Sequence, residues 1–180
     1  AIGTMLSALI SLLMIYNREQ LEKVYLWQLG SFSSANWNKV IFLTVISVIC
    51  VTTIFMFGRD LNVILTGDDI ASSLGIDTVR LKNILILICA LLVASGVSVS
   101  GTIGFVGLII PHCMKLLVGS DHRFLILFSY FGGAGFMVIC DTIARTIAQP
   151  TEIPVGVITA VFGAPYFIYL LYRNTKSGRF

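Results

Sequence analysis

Two histidines, four cysteines and one closely spaced acid–base pair are the residues of this chain with the most chemistry to offer. His112 follows Pro111 inside an apolar stretch, and His122 stands between Asp121 and Arg123. Metal-assisted hydrolysis would set two histidines on one helix face beside a glutamate, as in H-E-x-x-H, and that spacing does not occur. Cys50, Cys89 and Cys140 lie inside apolar runs and Cys113 follows His112, with no C-x-x-C or zinc spacing, so they read as buried thiols. Serines are plentiful, yet no G-x-S-x-G elbow is present. The phosphate-cradling G-x-x-x-x-G-K-[ST] is also missing, so the chain holds no ATP through a P-loop. These residues assign no catalytic group, metal or cofactor to this chain, and they disfavour an intramembrane enzyme.

Two polar constellations remain. Asp141 and Arg145 are four apart on one helix near its end. Charges within a membrane are costly and are usually paired or functional. The pair either anchors the helix by satisfying itself or leaves Arg145, nearer the water, to meet an external acidic group. The second constellation is GRDLNVILTGDDIASSLGIDTVRLKN. Thr66 and Asp69 make a T-x-x-D capping signal for a short helix that ends near Gly75, with Gly67 bounding its start. Asp77 or Thr78 then caps the next helix. A small capped helix of this kind either docks into a partner's groove or simply turns the chain at an interface.

The elements that must position these residues are apolar. Of 180 residues 57% are hydrophobic and 12% charged, with mean hydropathy +0.94, whereas soluble domains carry roughly 25% charge. Stretches 1–17, 40–58, 83–114, 124–140 and 153–172 contain no Asp, Glu, Lys or Arg. About 20 apolar residues cross ~30 Å of hydrocarbon. The stretch 83–114 would be ~48 Å long as one helix, so it must bend back, and SVSGTIG supplies the reversal. The expected fold is all-α: one polytopic transmembrane domain over 1–180, with spans at about 1–16, 37–57, 79–97, 103–118, 124–147 and 155–172. The segment 59–78 forms a polar loop, and a short amphipathic helix capped by Asn17 precedes Gly30. Pro111 is expected to kink the fourth span. Breaks at Gly101–Gly104 and near Pro165 would line a pathway, the alternative to glycines that serve close packing. Gly3, Ser7 and Ser11 form one small-residue stripe, and Gly156 with Ala160 another. One set of loops and the tail carries eight Lys and Arg, the other four, which places 59–78 and the carboxyl terminus in the cytoplasm and Arg145 and Glu152 outside. A net charge of +3, spread out, does not suggest nucleic acid. The start at Ala1, inside an apolar stretch with no signal-like flank, is expected of a sequence that begins within a longer protein.

The order SGTIGFVGLIIPH, VGSDHR, CDTIAR and TEIPVGVITAVFGAPYFIYLL resembles the permease family of ABC importers for iron–siderophores, haem and cobalamin, the FecCD and BtuC type. LNVILTGDDIASSLGI and WQLGSF are similar to the family's matching segments. The resemblance is to roughly the carboxyl-terminal half of a ten-span permease. It implies a multi-pass subunit of the cell membrane, paired with a second permease as a homo- or heterodimer. It also implies an external substrate-binding protein and two cytoplasmic ATPase subunits that hold the ATP and Mg. Import of a ferric siderophore, or of haem or cobalamin, is the implied function. The coupling loop maps onto Leu61, Thr66, Gly67, Asp68, Asp69, Ala71, Ser72, Ser73, Leu74 and Gly75. The family's A-D-x-x-A-R motif reads C-D-T-I-A-R here, giving Arg145, with Glu152, the binding-protein contact. The first and last spans resemble the helices beside the path and dimer interface, which assigns Gly3, Ser7, Ser11, Gly156 and Ala160 there. A secondary transporter or channel is the rival reading. Apart from Asp141, no acidic residue falls within a span to relay a coupling ion.

Overall fold

The computed structural model describes residues 2–16, 21–147 and 153–176, and within them the chain is helical with short connections. In order, the helices are α1 (Ile2–Tyr16), α2 (Leu21–Gln28), α3 (Trp37–Met56), α4 (Gly58–Ile64), α5 (Asp68–Ser73), α6 (Thr78–Ser100), α7 (Val106–Val118), α8 (His122–Ile147) and α9 (Val155–Lys176). The expected Asn17 cap and Glu152 lie outside the described residues.

The long helices follow from uninterrupted apolar sequence closed by polar caps. Asn36 Oδ1 accepts from Lys39 N–H at 2.9 Å to start α3, and Asp77 Oδ1 accepts from Arg80 N–H at 3.0 Å to start α6. By length and composition α3, α6 and α8, of 20, 23 and 26 residues, can each cross a membrane. The apolar parts of α1, α7 and α9 are shorter, Gly3–Leu13, Val106–Val118 and Val155–Leu170. Among the described residues six apolar helices thus occur in the expected order, three of them at full spanning length.

The boundaries between 97 and 106 differ from expectation. The third span runs on to Ser100 because its serines satisfy themselves inside the helix. Ser98 Oγ donates to Ser95 O at 2.8 Å and Ser100 Oγ to Gly96 O at 2.9 Å. Residues 101–105 are not helical, and α7 begins at Val106 behind Phe105, whose φ is +67°. With 13 residues α7 is ~20 Å long, short of a full crossing. The break at Gly101–Gly104 is therefore present, whereas α9 continues through Pro165 and α7 through Pro111.

Helix α8 is the hub, packing against α3, α4, α7 and α9, while α6 packs against α3. Its second half meets the start of α9 in a cluster of Cys140, Ala144, Val155 and Ile158, covered by Phe32, Ile103 and Phe136. Cys140 and Ala144 are small, which lets the two backbones approach closely. The outward faces carry long apolar side chains such as Leu12, Ile86, Leu87 and Val138, all exposed. Lipid tails solvate such a surface, so packing rather than hydrophobic burial must hold these helices together.

Candidate functional site

The polar segment between α3 and α6 is two short helices, not one. The sequence missed α4, which starts at a glycine and has seven residues. Thr66 does not cap α5. Its Oγ1 donates back to Val63 O at 2.7 Å, closing α4, and the N-cap of α5 is Gly67 at φ 121°. Two helices so close together compete for the same hydroxyl, and the preceding carbonyl wins. Asp68 and Asp69 occupy the first turn of α5, where carboxylates oppose the positive end of the helix dipole. The other end is a Schellman turn: Ile76 N–H donates to Ala71 O at 3.1 Å and Gly75 N–H to Ser72 O at 3.0 Å, with Gly75 at φ +85°.

The expected docking residues divide into two groups. Thr66, Gly67, Asp68, Asp69, Ser72, Ser73, Leu74 and Gly75 are exposed, while Leu61 is half-buried and Ala71 is 0% exposed. Ala71 therefore seats the helix and does not face a partner. Lys82 Nζ reaches both carboxylate oxygens of Asp68, at 2.8 and 2.7 Å, tying α5 to the first turns of α6. Ile70 and Leu74, one turn apart, add an exposed apolar pair to the polar face. Lys82, Ile70 and Asn62, which bonds to the start of α8, escaped the sequence reading; only their place within one polar segment marked them. Replacing Ala71 with leucine adds carbons where none fit, at a cost of about 1–3 kcal/mol. Limited proteolysis of an Ala71→Leu variant is expected to cut between 65 and 76 faster than in wild type, and an unchanged rate would contradict this seating.

At the far end of α8, Arg145 Nε donates to Asp141 Oδ2 at 2.8 Å, with the side chains 46% and 28% exposed. The pair forms as its spacing suggests, and Arg145 stays accessible at the helix end. Close by, α2 is knitted to the 101–102 turn and to α9. Ser31 N–H donates to Ser100 O at 2.9 Å, Thr102 Oγ1 to Gln28 O at 2.5 Å, and Gly156 N–H to Gly30 O at 3.2 Å. At Gly156 a β-carbon would collide with the Leu29 carbonyl, so only glycine allows this approach. Gly156 and Ala160 line an open cleft of about 480 Å³ with Gln28, Leu29, Thr102 and Val161. Gly3, Ser7 and Ser11 are not part of that lining; they lie exposed along α1, and Ser11 Oγ donates to Ser7 O at 2.9 Å. Among the described residues no cluster of three or more His, Cys, Asp or Glu is arranged to hold a metal. His112 instead stands edge-on to the Tyr166 ring at 6.3 Å.

Comparison with known proteins bears on the sequence and the fold as a whole. The FecCD transport family matches residues 1–173. The chain is 42% identical over 177 residues to the uncharacterized ABC transporter permease protein YvrB of Bacillus subtilis, covering 98% of this chain and 50% of that one. It is 39% identical to the cobalamin import system permease protein BtuC of Halobacterium salinarum, covering 95% and 46%, and 38% identical to the hemin transport system permease protein HmuU of Yersinia pestis, covering 91% and 49%. A solved metal-chelate type ABC transporter in an inward-facing conformation superimposes with a TM-score of 0.85 at 36% identity, covering 94% of this chain and 56% of that one. The chain spans about half the length of the curated relatives it matches. In sequence along nearly all of its length, and in fold, the chain belongs to the FecCD transport family.

Proposed function

We propose that this chain acts as membrane-spanning permease of an ATP-driven importer in the cell membrane, passing a metal chelate or a related macrocycle inward. The observation that carries the reading is the α4–α5 segment, a projection seated by Ala71 and tied by Lys82, whose outer face is left free. Ferric siderophore is the favoured cargo, with haem and cobalamin as the other members of the class. The permease performs no chemistry. Two cytoplasmic ATPase subunits, separate chains, bind ATP and Mg; their closure pulls on α4–α5, and the helices rock between outward and inward openings. A second permease copy or a related permease completes the path, which α1 and α9 border. The carboxyl terminus and α5 face the cytoplasm, and the end of α8 bearing Arg145 faces the external binding protein.

Arg145 would meet an acidic group of that binding protein. Losing one partner of a charge pair that binding itself buries costs about 2–5 kcal/mol, so an Arg145→Gln variant is expected to bind the binding protein at least tenfold more weakly while still holding its ATPase. Surface plasmon resonance on the permease in lipid discs measures this, and equal affinity would remove Arg145 from the contact. The whole reading is tested by uptake into vesicles carrying the full-length permease, its ATPase and its binding protein, with ferric hydroxamate, haemin and cobalamin as probes. Uptake that needs ATP and stops when the ATPase's catalytic glutamate is changed supports it; uptake without the ATPase supports a secondary transporter.

A further inference from the structure

Asn62 lies on α4 and turns its amide toward the start of α8. Its Nδ2 donates to Asp121 Oδ1 at 2.8 Å, and its Oδ1 accepts from His122 N–H at 2.9 Å. The same Oδ1 lies 2.8 Å from His122 Nδ1. An amide oxygen only accepts, so Nδ1 of His122 carries the proton. Asp121 also takes the Arg123 N–H at 3.0 Å and, through its carbonyl, the Leu125 N–H at 2.9 Å, and so caps α8. At the other end of α4, a β-carbon on Gly58 would stand 3.0 Å from Arg123 Cγ. Helix α4 is thus held at both ends against residues 121–123, although α4 and α8 are 58 positions or more apart along the chain.

The consequence is mechanical. α8 is a single 26-residue helix, ~39 Å long, and it carries Arg145 at its other end. We infer that Asn62 is a positioning residue that fastens α4 to the capped start of α8, so that movement of the α4–α5 segment is delivered along α8 toward Arg145 as well as to α3 and α6. The inference rests on the importer reading for what pulls on α5, but not for the fastening itself. The device works by matching one amide to one carboxylate and one helix start.

Substitutions at the two ends of the Asn62–Asp121 bond separate fastening from folding. Asn62→Asp sets two carboxylates against each other at the 2.8 Å contact and removes the only donor between them. Asp121→Asn alone keeps an acceptor facing Asn62. The double variant Asn62→Asp with Asp121→Asn restores a donor facing an acceptor, with the direction reversed, and leaves the new amide oxygen to take the Arg123 N–H that Asp121 Oδ1 accepts. The full-length permease would carry spin labels at Leu65→Cys and Phe124→Cys, both exposed positions, in a background without other cysteines. In lipid discs without ATPase, wild type and Asp121→Asn are expected to give one narrow distance, Asn62→Asp a broadened one, and the double variant a narrow one again. An unbroadened distance in Asn62→Asp, or no recovery in the double variant, overturns the fastening.

With ATPase and binding protein added, stimulation of ATP hydrolysis by the binding protein is expected to fall roughly tenfold in Asn62→Asp and to recover in the double variant, as loss of about one charge-assisted bond implies. A broadened distance with unchanged stimulation overturns delivery along α8. Should wild-type permease bind no ATPase at all, the importer reading falls, and the distances alone still decide the fastening.

Discussion

Among the glycines, a methyl group at Gly101 is expected to cost this protein the most stability. Gly101 has φ 73° and ψ −167°, a conformation essentially closed to residues with a β-carbon. Its β-carbon would also press into the Trp27 carbonyl, which already accepts from Gly30 N–H at 3.1 Å. Backbone strain alone costs about 1–3 kcal/mol, and the steric clash adds to it, because the obstacle is main chain and cannot rotate away. For a chain of this size each kcal/mol shifts Tm by roughly 2–4 °C. Gly101→Ala should therefore lower the unfolding midpoint in detergent by roughly 10 °C, read by fluorescence of the tryptophans, one of which sits at the junction. Gly104→Ala is the internal control. Nothing lies within 4 Å of its β-carbon position, and the backbone there is ordinary. It should leave the midpoint unchanged, and equal losses for both glycines would refute the junction between α2, the 101–105 turn and α9.

The second large effect lies on α5. Changing Asp68 and Asp69 to arginine reverses the charge of its first turn and sets an arginine beside Lys82. Two costs then mix. A partner surface shaped for carboxylates meets like charge, a penalty of several kcal/mol, and the helix itself loses about 0.3–1 kcal/mol per charge at its positive end. Changing Ser72 and Ser73 to arginine separates them. Those residues are exposed in the last turn, where cations favour the helix dipole, so α5 is kept while its outer face is blocked. Both variants are expected to weaken ATPase association by at least a hundredfold. If only the Asp68 and Asp69 variant failed, loss of α5 rather than loss of a docking face would be the cause.

The long elements could be read from sequence because membrane physics leaves few options. A run of 20 apolar residues without charge must become a helix, and α3, α6 and α8 lie within one or two residues of expectation, except where Ser98 and Ser100 extend α6 by bonding to their own helix. Asp77 was legible as a cap because its side chain serves the helix that follows it. Thr66 was misread because the same hydroxyl could serve either of two helices, and sequence does not say which carbonyl lies nearer. Helix α4 was invisible for a different reason. Gly58–Ile64 has neither length nor a capping side chain, and it is held by Asn62 and Arg123 contacts across more than 50 residues of sequence. Arg145 was found through its spacing from Asp141, and the structure places the pair as that spacing requires. Gly156 was read as a path residue; its contact with Leu29 and its bond to Gly30 add a joint that no periodicity encodes.

Co-purification of the full-length permease with its ATPase tests the importer reading most directly. Wild type, the Asp68→Arg with Asp69→Arg variant and the Ser72→Arg with Ser73→Arg variant would be compared at equal membrane insertion and equal thermal midpoint. The account predicts a stable complex for wild type and none for either variant. A wild-type permease that retains no ATPase, or variants that retain as much as wild type, would contradict it.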